Sequence, residues 1–176
     1  TRVTLAKGAQ AGVEVDFQEW FVGLRHDTAV SKVHFDGSAS ANPGPGVLEA
    51  IAEAEAVVIA PSNPIVSIGP LLAVPGVAKA LQSRRDDSVA ISPIVAGAAL
   101  KGPADNLMRD LGHEASVVGV ADLYRDIAAT LVIDTVDCDL ANAVETAGMD
   151  CVVTDTIMTN STVAAVLAKT VLEAVR

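Results

Sequence analysis

Aromatic residues are scarce in this 176-residue chain, at 3% of the sequence. Because 51% of its residues are nonetheless apolar, a buried core has to be built mainly from Val, Ala, Leu and Ile. Val-rich runs that alternate with Ala-rich helical segments are typical of parallel sheets covered on both faces by helices. The composition therefore favours an α/β fold of single-domain size.

Basic residues are also few, since 12 Lys and Arg stand against 22 Asp and Glu, for a formal net charge of −10. No basic stripe is present that would release counterions from a nucleic-acid backbone, so nucleic acid is not expected as a partner. A phosphorylated small molecule is still compatible with this charge, because backbone amides and one or two cations are enough to hold it.

Cysteines and long apolar runs are the last scarce features. Cys138 and Cys151 show no C-x-x-C spacing and have no nearby His, so neither a zinc site nor a redox motif is predicted. No apolar run reaches the roughly 20 residues that span a bilayer, and no secretory leader is visible. The expectation is a cytoplasmic protein without a membrane partner.

The chain divides into two parts of different regularity. Residues 1–46 are irregular: alternation predicts strands over 13–22 and 30–35, and the Gly, Ser, Asn and Pro content of 36–46 predicts a loop. We interpret 1–46 as an edge-strand and loop region and 47–176 as a Rossmann-like nucleotide-binding half, which together form one partial domain.

The second part alternates between strand and helix patterns, which indicates a parallel sheet. The predicted strands are 56–60, 89–95, 130–134 and 151–154. The predicted helices begin near Val47, at Gly69, near Ala104, at Leu140 and near Ser161. For the last helix Asn160 or Ser161 is the expected cap, and the expected buried face is Val163, Val166, Leu167 and Val171.

Polar residues follow three of the predicted strands. Ser62 and Asn63 come after the first, Ser92 after the second and Asp155 after the last. Because ligands bind beyond the carboxyl ends of the strands in open parallel sheets, these residues are candidates for one binding rim.

Residues 60–70 are the most informative of these loops. Gly69 and Pro70 suit the opening of a helix, and a helix N-terminus favours an anion. Ser62 and Asn63 offer a hydroxyl and a carboxamide to a phosphate. An ordinary Asx or Ser turn is an equally good interpretation.

Two further residues are candidates for ligand contacts. Lys101 is the cation of a loop of small residues and is suited to pair with a diphosphate, although a solvated lysine is more common. Asp155 is suited to orient a ribose hydroxyl, a base or a metal-bound water, and a turn or helix cap is an equal alternative.

Three acids close to one another, Asp134, Asp137 and Asp139, precede a predicted helix. A helix N-terminus favours negative charge, so we interpret them as solvated capping residues rather than as paired catalytic carboxylates.

Several segments, in this order along the chain, resemble the 2-phospho-L-lactate transferase family of coenzyme F420 biosynthesis. They are Phe17-Gln18-Glu19-Trp20, Pro61-Ser62-Asn63-Pro64, Ser67-Ile68-Gly69-Pro70, Val74-Pro75-Gly76, Ser92-Pro93-Ile94-Val95, Leu100-Lys101-Gly102-Pro103-Ala104-Asp105 and Val153-Thr154-Asp155-Thr156. The resemblance implies a three-layer Rossmann-like fold, with a mostly parallel sheet flanked by helices.

The resemblance also implies a reaction. A phospholactyl group, or an enolpyruvyl phosphate in some members, moves from a guanosine diphospho donor to the hydroxyl of the deazaflavin Fo, and GMP leaves. Magnesium and a homodimer are expected. The implied donor or nucleotide contacts are Ser62, Asn63, Pro64, Ser67, Ser92, Lys101 and Asp155.

One departure from the family pattern limits what this chain is expected to do alone. The family's opening strand, its Gly-rich phosphate loop and its acidic metal-binding motif find no match here, so the chain resembles the C-terminal half. Magnesium ligands are therefore expected outside this chain.

Two alternatives stay open. A non-catalytic regulator of the gluconeogenesis-factor type would bind a nucleotide sugar, but it has a Gly-Pro-Gly-Ser-type loop where this chain has Pro61-Ser62-Asn63-Pro64. An interaction domain without a ligand is the third interpretation.

Overall fold

The computed structural model describes residues 1–175 and combines an antiparallel sheet with a parallel one. The strands are β1 (Arg2–Leu5), β2 (Glu14–Asp16), β3 (Val30–His34), β4 (Val57–Ile59), β5 (Ser88–Ile91), β6 (Ile94–Val95), β7 (Ala98–Ala99), β8 (Thr130–Asp134) and β9 (Asp150–Thr154).

The helices lie mainly between the strands of the second part. They are α1 (Val47–Glu53), α2 (Gly69–Leu72), α3 (Val77–Ser83), α4 (Ala104–Asp110), α5 (Val117–Tyr124), α6 (Ala141–Thr146) and α7 (Ser161–Glu173). Short π- and 3₁₀-helical turns, among them Pro64–Ile68 and Thr135–Leu140, extend α2 and α6 at their N-terminal ends.

The parallel sheet has the order β4, β5, β8, β9, which confirms the predicted α/β fold with helices flanking a parallel sheet. Among these four strands, the next strand along the chain is always the next strand in the sheet, so every crossover runs in the same direction. Right-handed crossovers then place α3, α5 and α6 on one face of the sheet. There they form the main core with Ile59, Ala90 and Leu131. We call this the α3 face.

The opposite face is covered by the last helix, and we call it the α7 face. Leu167 and Val171 of α7 pack there against Val89, Ile91 and Val132. Asn160 caps α7, since its side-chain oxygen accepts a hydrogen bond from the Val163 amide at 3.0 Å. Val166, expected to be buried, is 57% exposed, because it points away from the sheet.

The antiparallel sheet, in the order β2, β1, β3, is built by the irregular first part of the chain. The predicted strand 13–22 is wrong in its second half, where Glu19–Gly23 forms a π-helical turn. Helical spacing stacks Phe17 on Phe21 with ring centroids 5.5 Å apart. Trp20 is buried in the core of this part, and its indole N–H donates to the Thr28 carbonyl at 2.8 Å.

Two other predicted elements have different bounds. The strand 89–95 ends at Ile91 because Ser92 and Pro93 break it, and Ile94–Val95 pairs instead with Ala98–Ala99 as a hairpin. The helix expected from Gly69 already starts at Pro64, so Gly69 and Pro70 lie within a continuous helical run. The predicted helix start at Gly69 is therefore wrong, whereas anion binding by residues 60–70 stays a prediction.

In the part of the chain that the structure describes, no single helix is long and apolar enough to cross a membrane. Two neighbouring helical segments, Pro64–Leu72 and Val77–Ser83, are long and apolar enough for a span only when they are taken together, and they meet at an angle of 93°.

Candidate functional site

A cleft of about 550 Å³ opens at the carboxyl ends of β4, β5 and β9. Loops that follow three different strands therefore meet at one edge of the sheet, which is where open α/β sheets bind their ligands. The cleft is lined by Pro61, Ser62, Ser92, Pro93, Val95, Ala99, Leu100, Lys101, Ala104, Thr156, Ile157 and Met158.

Ser62 and Ser92 present different chemistry to this cleft. Ser62 is partly exposed directly after β4. Ser92 is buried, and its hydroxyl donates to the Ile94 carbonyl at 2.9 Å and accepts from the Ile94 amide at 3.1 Å. Ser92 thus fixes the turn after β5, whereas Ser62 is the hydroxyl better placed to reach a ligand.

Lys101 is exposed and supplies the charge of the cleft. Among the described residues that line the cleft, only Lys101 has an ionisable side chain. The lining therefore offers a single cation among apolar and hydroxyl side chains, which suits a ligand with a negatively charged centre.

The β6–β7 hairpin precedes Lys101 and has an unusual tip. Ala96 and Gly97 both have positive φ, at 51° and 74°, as a two-residue type I′ turn requires. The left-handed conformation is costly for alanine. The hairpin at this edge of the cleft therefore needs support from outside its own sequence.

That support comes from two charged side chains on either side of the hairpin. The Asp137 carboxylate accepts the Ala96 amide through both oxygens, at 3.0 and 3.2 Å. Arg109 donates to the Gly97 carbonyl at 3.0 Å and pairs with Asp105 at 2.8 Å. The two residues of the turn are thus held by one carboxylate and one guanidinium.

Asp134 holds the third loop of the cleft. Its carboxylate accepts the Thr156 amide at 2.8 Å and the Thr156 hydroxyl at 2.9 Å, and it also accepts the Val136 amide at 3.1 Å. Burial raises the pKa of Asp134, but the hydrogen bonds from Thr156, Val136 and Thr135 outweigh burial and bring the pKa below its ordinary value. The carboxylate therefore stays ionised and fixes Thr156 at the cleft wall.

The interpretation of the three acids needs correction. Asp134 is a cap, as predicted, but it is buried, and Asp137 is buried with 7% of its surface exposed. Both were expected to be solvated. Their roles in the two loops were missed because their partners, Thr156 and Ala96, are distant in sequence; only Asp139 is exposed as expected.

Asn63, Pro64 and Ser67 lie behind the cleft wall rather than on it. The Asn63 side-chain oxygen accepts the Ile65 and Val66 amides at 2.9 and 3.2 Å, which is the Asx-turn geometry. Its side-chain NH₂ is buried without a hydrogen-bond partner among the described residues. Pro64 is buried and Ser67 is exposed on the same helical run.

Asp155 is exposed beside the cleft and accepts the Thr135 hydroxyl at 3.0 Å. The structure thus brings Ser62, Ser92 and Lys101 together and leaves Asp155 at the margin. Contact of any of these residues with a donor stays a prediction.

The described residues contain no group of three or more His, Cys, Asp or Glu side chains arranged to hold a metal ion. The cleft lining is also without a carboxylate in that part of the chain. Magnesium prefers carboxylate and phosphate oxygens, so the residues of this cleft do not fit a magnesium site by themselves.

Sequence comparison shows which known proteins this chain is similar to. The family model described as 2-phospho-L-lactate transferase CofD matches residues 1–172. A phosphoenolpyruvate transferase from Kitasatospora aureofaciens is 40% identical over 172 residues, which cover 97% of this chain and 53% of the relative. A 2-phospho-L-lactate transferase from Methanocaldococcus jannaschii is 37% identical, with 89% and 49% covered. The chain spans about half the length of these curated relatives.

Comparison with solved structures supports the fold. A crystal structure of a Bacillus halodurans protein of the UPF0052 family superimposes with a TM-score of 0.58 at 17% identity, and it covers 97% of this chain and 57% of that chain. At this identity the likeness concerns the fold alone.

Proposed function

Because the chain belongs to the 2-phospho-L-lactate transferase family, we propose that its cleft binds the guanosine diphospho donor of a phospho-acid transfer. The transferred group is phospholactate or its enolpyruvyl counterpart, and the acceptor is the deazaflavin Fo. The product is F420-0 or its dehydro form, and GMP leaves. The cytoplasm is the proposed compartment.

The observation that carries the proposal is the meeting of three strand-end loops around a single lysine. A diphosphate needs a cation and hydrogen-bond donors on a surface that it can approach closely. Lys101 supplies the charge and Ser62 a hydroxyl, while Ser92 shapes the loop between them. Asn63, Pro64 and Ser67 form the turn behind Ser62, and we propose that Asp155, at the margin of the cleft, accepts a ribose hydroxyl of the donor.

The proposed reaction is a displacement at phosphorus. The Fo hydroxyl oxygen forms a bond to the phosphorus that carries the acid, and the bond from that phosphorus to the bridging oxygen breaks. GMP takes the bridging oxygen, and the hydroxyl proton is released. Positioning and charge neutralisation supply most of the catalysis in such transfers. We propose that magnesium takes part through ligands outside this chain, and that the active enzyme is a homodimer.

Calorimetric titration of the chain with GDP tests the donor proposal. We expect measurable heat with GDP in magnesium buffer and at least tenfold weaker binding after Lys101→Ala, because the cation of the cleft is lost. Lys79→Ala is the matched control, since Lys79 is an exposed lysine of α3 outside the cleft lining. Equal affinities of the two variants would contradict the role of Lys101.

The same titration separates the alternative functions. A UDP-sugar that binds at least as tightly as GDP would favour a regulator of the gluconeogenesis-factor type. If neither nucleotide gives measurable heat of binding, an interaction domain without a ligand would be favoured. We prefer the transferase because of one loop in the sequence. This chain has Pro61-Ser62-Asn63-Pro64 where that regulator has a loop of the Gly-Pro-Gly-Ser type.

A further inference from the structure

A second cavity lies between the antiparallel sheet and the helices, away from the cleft. It measures about 430 Å³, and its walls come from β3, the helical run Pro64–Leu72, the residues that follow α4, and α5. Among the described residues, none lines both this cavity and the cleft. Pockets of this size with a mainly apolar lining and a few polar groups are typical of small-molecule sites. We call this cavity the β3 pocket.

The floor of the β3 pocket carries a hydroxyl group without a hydrogen-bond partner. Tyr124 of α5 lines the pocket and is only 1% exposed. Its hydroxyl oxygen is buried, and no group within residues 1–175 forms a hydrogen bond with it. Nearly all buried polar groups in proteins have a partner, because an unpaired one is costly. The pocket is the space from which such a partner can reach Tyr124.

The protonation state of Tyr124 defines what that partner offers. Burial raises the pKa of the Tyr124 hydroxyl above its ordinary value, so the group stays a neutral phenol at neutral pH. A neutral phenol has one proton to donate. The floor of the pocket therefore calls for an oxygen or nitrogen atom that accepts a hydrogen bond.

The mouth of the β3 pocket is polar and basic. Lys32 and Ser31 of β3 line it and are exposed, and His113 adds a partly exposed imidazole. None of the described lining residues is acidic, although the chain as a whole has 22 Asp and Glu against 12 Lys and Arg. A lysine in a lining without carboxylates favours a negatively charged ligand.

Apolar side chains form the walls between the mouth and the floor, among them Val33, Phe35, Ile65 and Leu123. The Phe35 wall depends on a glycine. A Cβ atom at Gly69 would lie 2.9 Å from the Phe35 Cζ atom, so a larger residue there would displace the ring. The absence of a side chain at position 69 thus lets Phe35 lie against the helical run and shape the pocket.

We propose that the β3 pocket binds a small organic carboxylate that has an apolar body and an uncharged oxygen acceptor at its far end. The acceptor takes the hydrogen bond of the Tyr124 hydroxyl, and the apolar body fills the space between the walls. The carboxylate lies at the mouth beside Lys32. This orientation follows from solvation, because a charged group is costly to bury and keeps its water at the exposed end.

Three aromatic compounds of similar shape test the proposal. 4-Acetylbenzoate has the carboxylate and the acceptor oxygen, 4-isopropylbenzoate lacks the acceptor, and 4-acetylbenzamide lacks the charge. Each is titrated to millimolar concentration into the ¹⁵N-labelled chain, and the amide signals are followed by NMR. We expect saturable shifts at Lys32, Leu111 and Leu123 with 4-acetylbenzoate, and binding about tenfold weaker for the other two compounds.

Two variants assign the two ends of the ligand. Tyr124→Phe is expected to bind 4-acetylbenzoate about tenfold more weakly and to lose the preference over 4-isopropylbenzoate, because only the hydroxyl is removed. Lys32→Gln is expected to lose the preference over 4-acetylbenzamide. Lys7→Gln is the matched control, since Lys7 is an exposed lysine of the β1–β2 loop outside the pocket lining; its affinity is expected to change less than twofold.

Tyr124→Phe also has a readout in the chain without any added compound. If the hydroxyl lacks a partner there, its removal relieves an unpaired buried group and is expected to raise the temperature of thermal unfolding. A lowered unfolding temperature would show that a partner already satisfies the hydroxyl, and it would overturn the proposal.

Three binding results would also overturn it. They are equal affinities for 4-acetylbenzoate and 4-isopropylbenzoate, no saturable binding of 4-acetylbenzoate at millimolar concentration, and amide shifts confined to the cleft loops 61–63 and 92–101. Millimolar GDP is expected to change the affinity for 4-acetylbenzoate less than twofold, whereas displacement by GDP would place the compound in the cleft. None of these readouts requires a transferase reaction or GDP binding, so they separate this proposal from the proposed function.

Discussion

Asp137 is the residue that gives the hairpin beside Lys101 its shape. Its carboxylate accepts the amide of Ala96, a residue held in a conformation that alanine rarely adopts. A buried carboxylate with two contacts to one amide is a strong acceptor. At the scale of single residues, the cleft is thus defined as much by the groups behind it as by those that line it.

Asp137→Ala is expected to destabilise the protein. The change removes the acceptor of the Ala96 amide, and the loss of such a bond costs about 1–2 kcal/mol in the free energy of unfolding. Asp139→Ala is the control, because Asp139 is an exposed neighbour and its removal is expected to cost less than about 0.5 kcal/mol. Urea unfolding measures both, and equal losses would contradict the role of Asp137.

Ala96→Asn is expected to stabilise the hairpin by about 0.5–1 kcal/mol, because Asn tolerates the left-handed conformation and Asn-Gly is the favoured type I′ pair. Ala96→Val, which is β-branched, is expected to be destabilising. Thermal unfolding of both variants measures the effect. A stabilising valine or a destabilising asparagine would show that the turn is not strained in solution.

At the scale of elements, the loop after β9 depends on the ionised Asp134 at the end of β8. Its folded pKa lies below the ordinary value of 3.8. A carboxyl with a depressed folded pKa stabilises the fold above its unfolded pKa, and this stabilisation is lost as the pH falls through the folded pKa. The contribution of Asp134 is therefore complete at neutral pH and declines below about pH 4.

Asp134→Asn tests this dependence. We expect the variant to be less stable than the native protein at pH 7, and the difference to shrink as the pH is lowered from about 4 towards 2. Urea unfolding at several pH values, with Asp139→Asn as the exposed control, measures it. A difference between Asp134→Asn and native protein that is constant with pH would refute an ionised Asp134.

The start of the helical run after β4 depends on Asn63. Asn63→Ala is expected to lower the free energy of unfolding by about 1 kcal/mol through loss of the cap, whereas Asn63→Ser keeps a capping oxygen and is expected to cost less than about 0.5 kcal/mol. Chemical denaturation compares the two. If both variants lose the same stability, the contacts to the Ile65 and Val66 amides are not what stabilises this turn.

At the scale of the whole molecule, the parallel sheet could be predicted because each of its strands contains a continuous apolar run, as expected for such sheets. The central strands β5 and β8 are buried on both faces. The meeting of Ser62 and Ser92 followed from the rule that carboxyl ends of parallel strands share one edge, whereas Lys101 was a candidate because it is the cation of its loop. Both inferences use local patterns and one topological rule.

Other features could not be predicted because they depend on contacts between distant residues. Asp137 reaches Ala96 across 41 positions, and nothing in the acidic segment around it distinguishes a buried carboxylate from a solvated one. Trp20 lies in a helical turn, but the apolar residues of this turn also fit the alternation of a strand, so the sequence predicted a strand there. The strands β6 and β7 have two residues each, which is too few to show the alternation of apolar and polar residues by which a strand is predicted.

The central claim is that the cleft beside Lys101 holds the diphosphate of a guanosine nucleotide. Hydrogen exchange of the chain, with and without millimolar GDP, tests it most directly. The account predicts increased protection in residues 61–63, 92–101 and 155–158, and loss of that protection in Lys101→Ala. Protection confined to other segments, or exchange that GDP leaves unchanged, would contradict it.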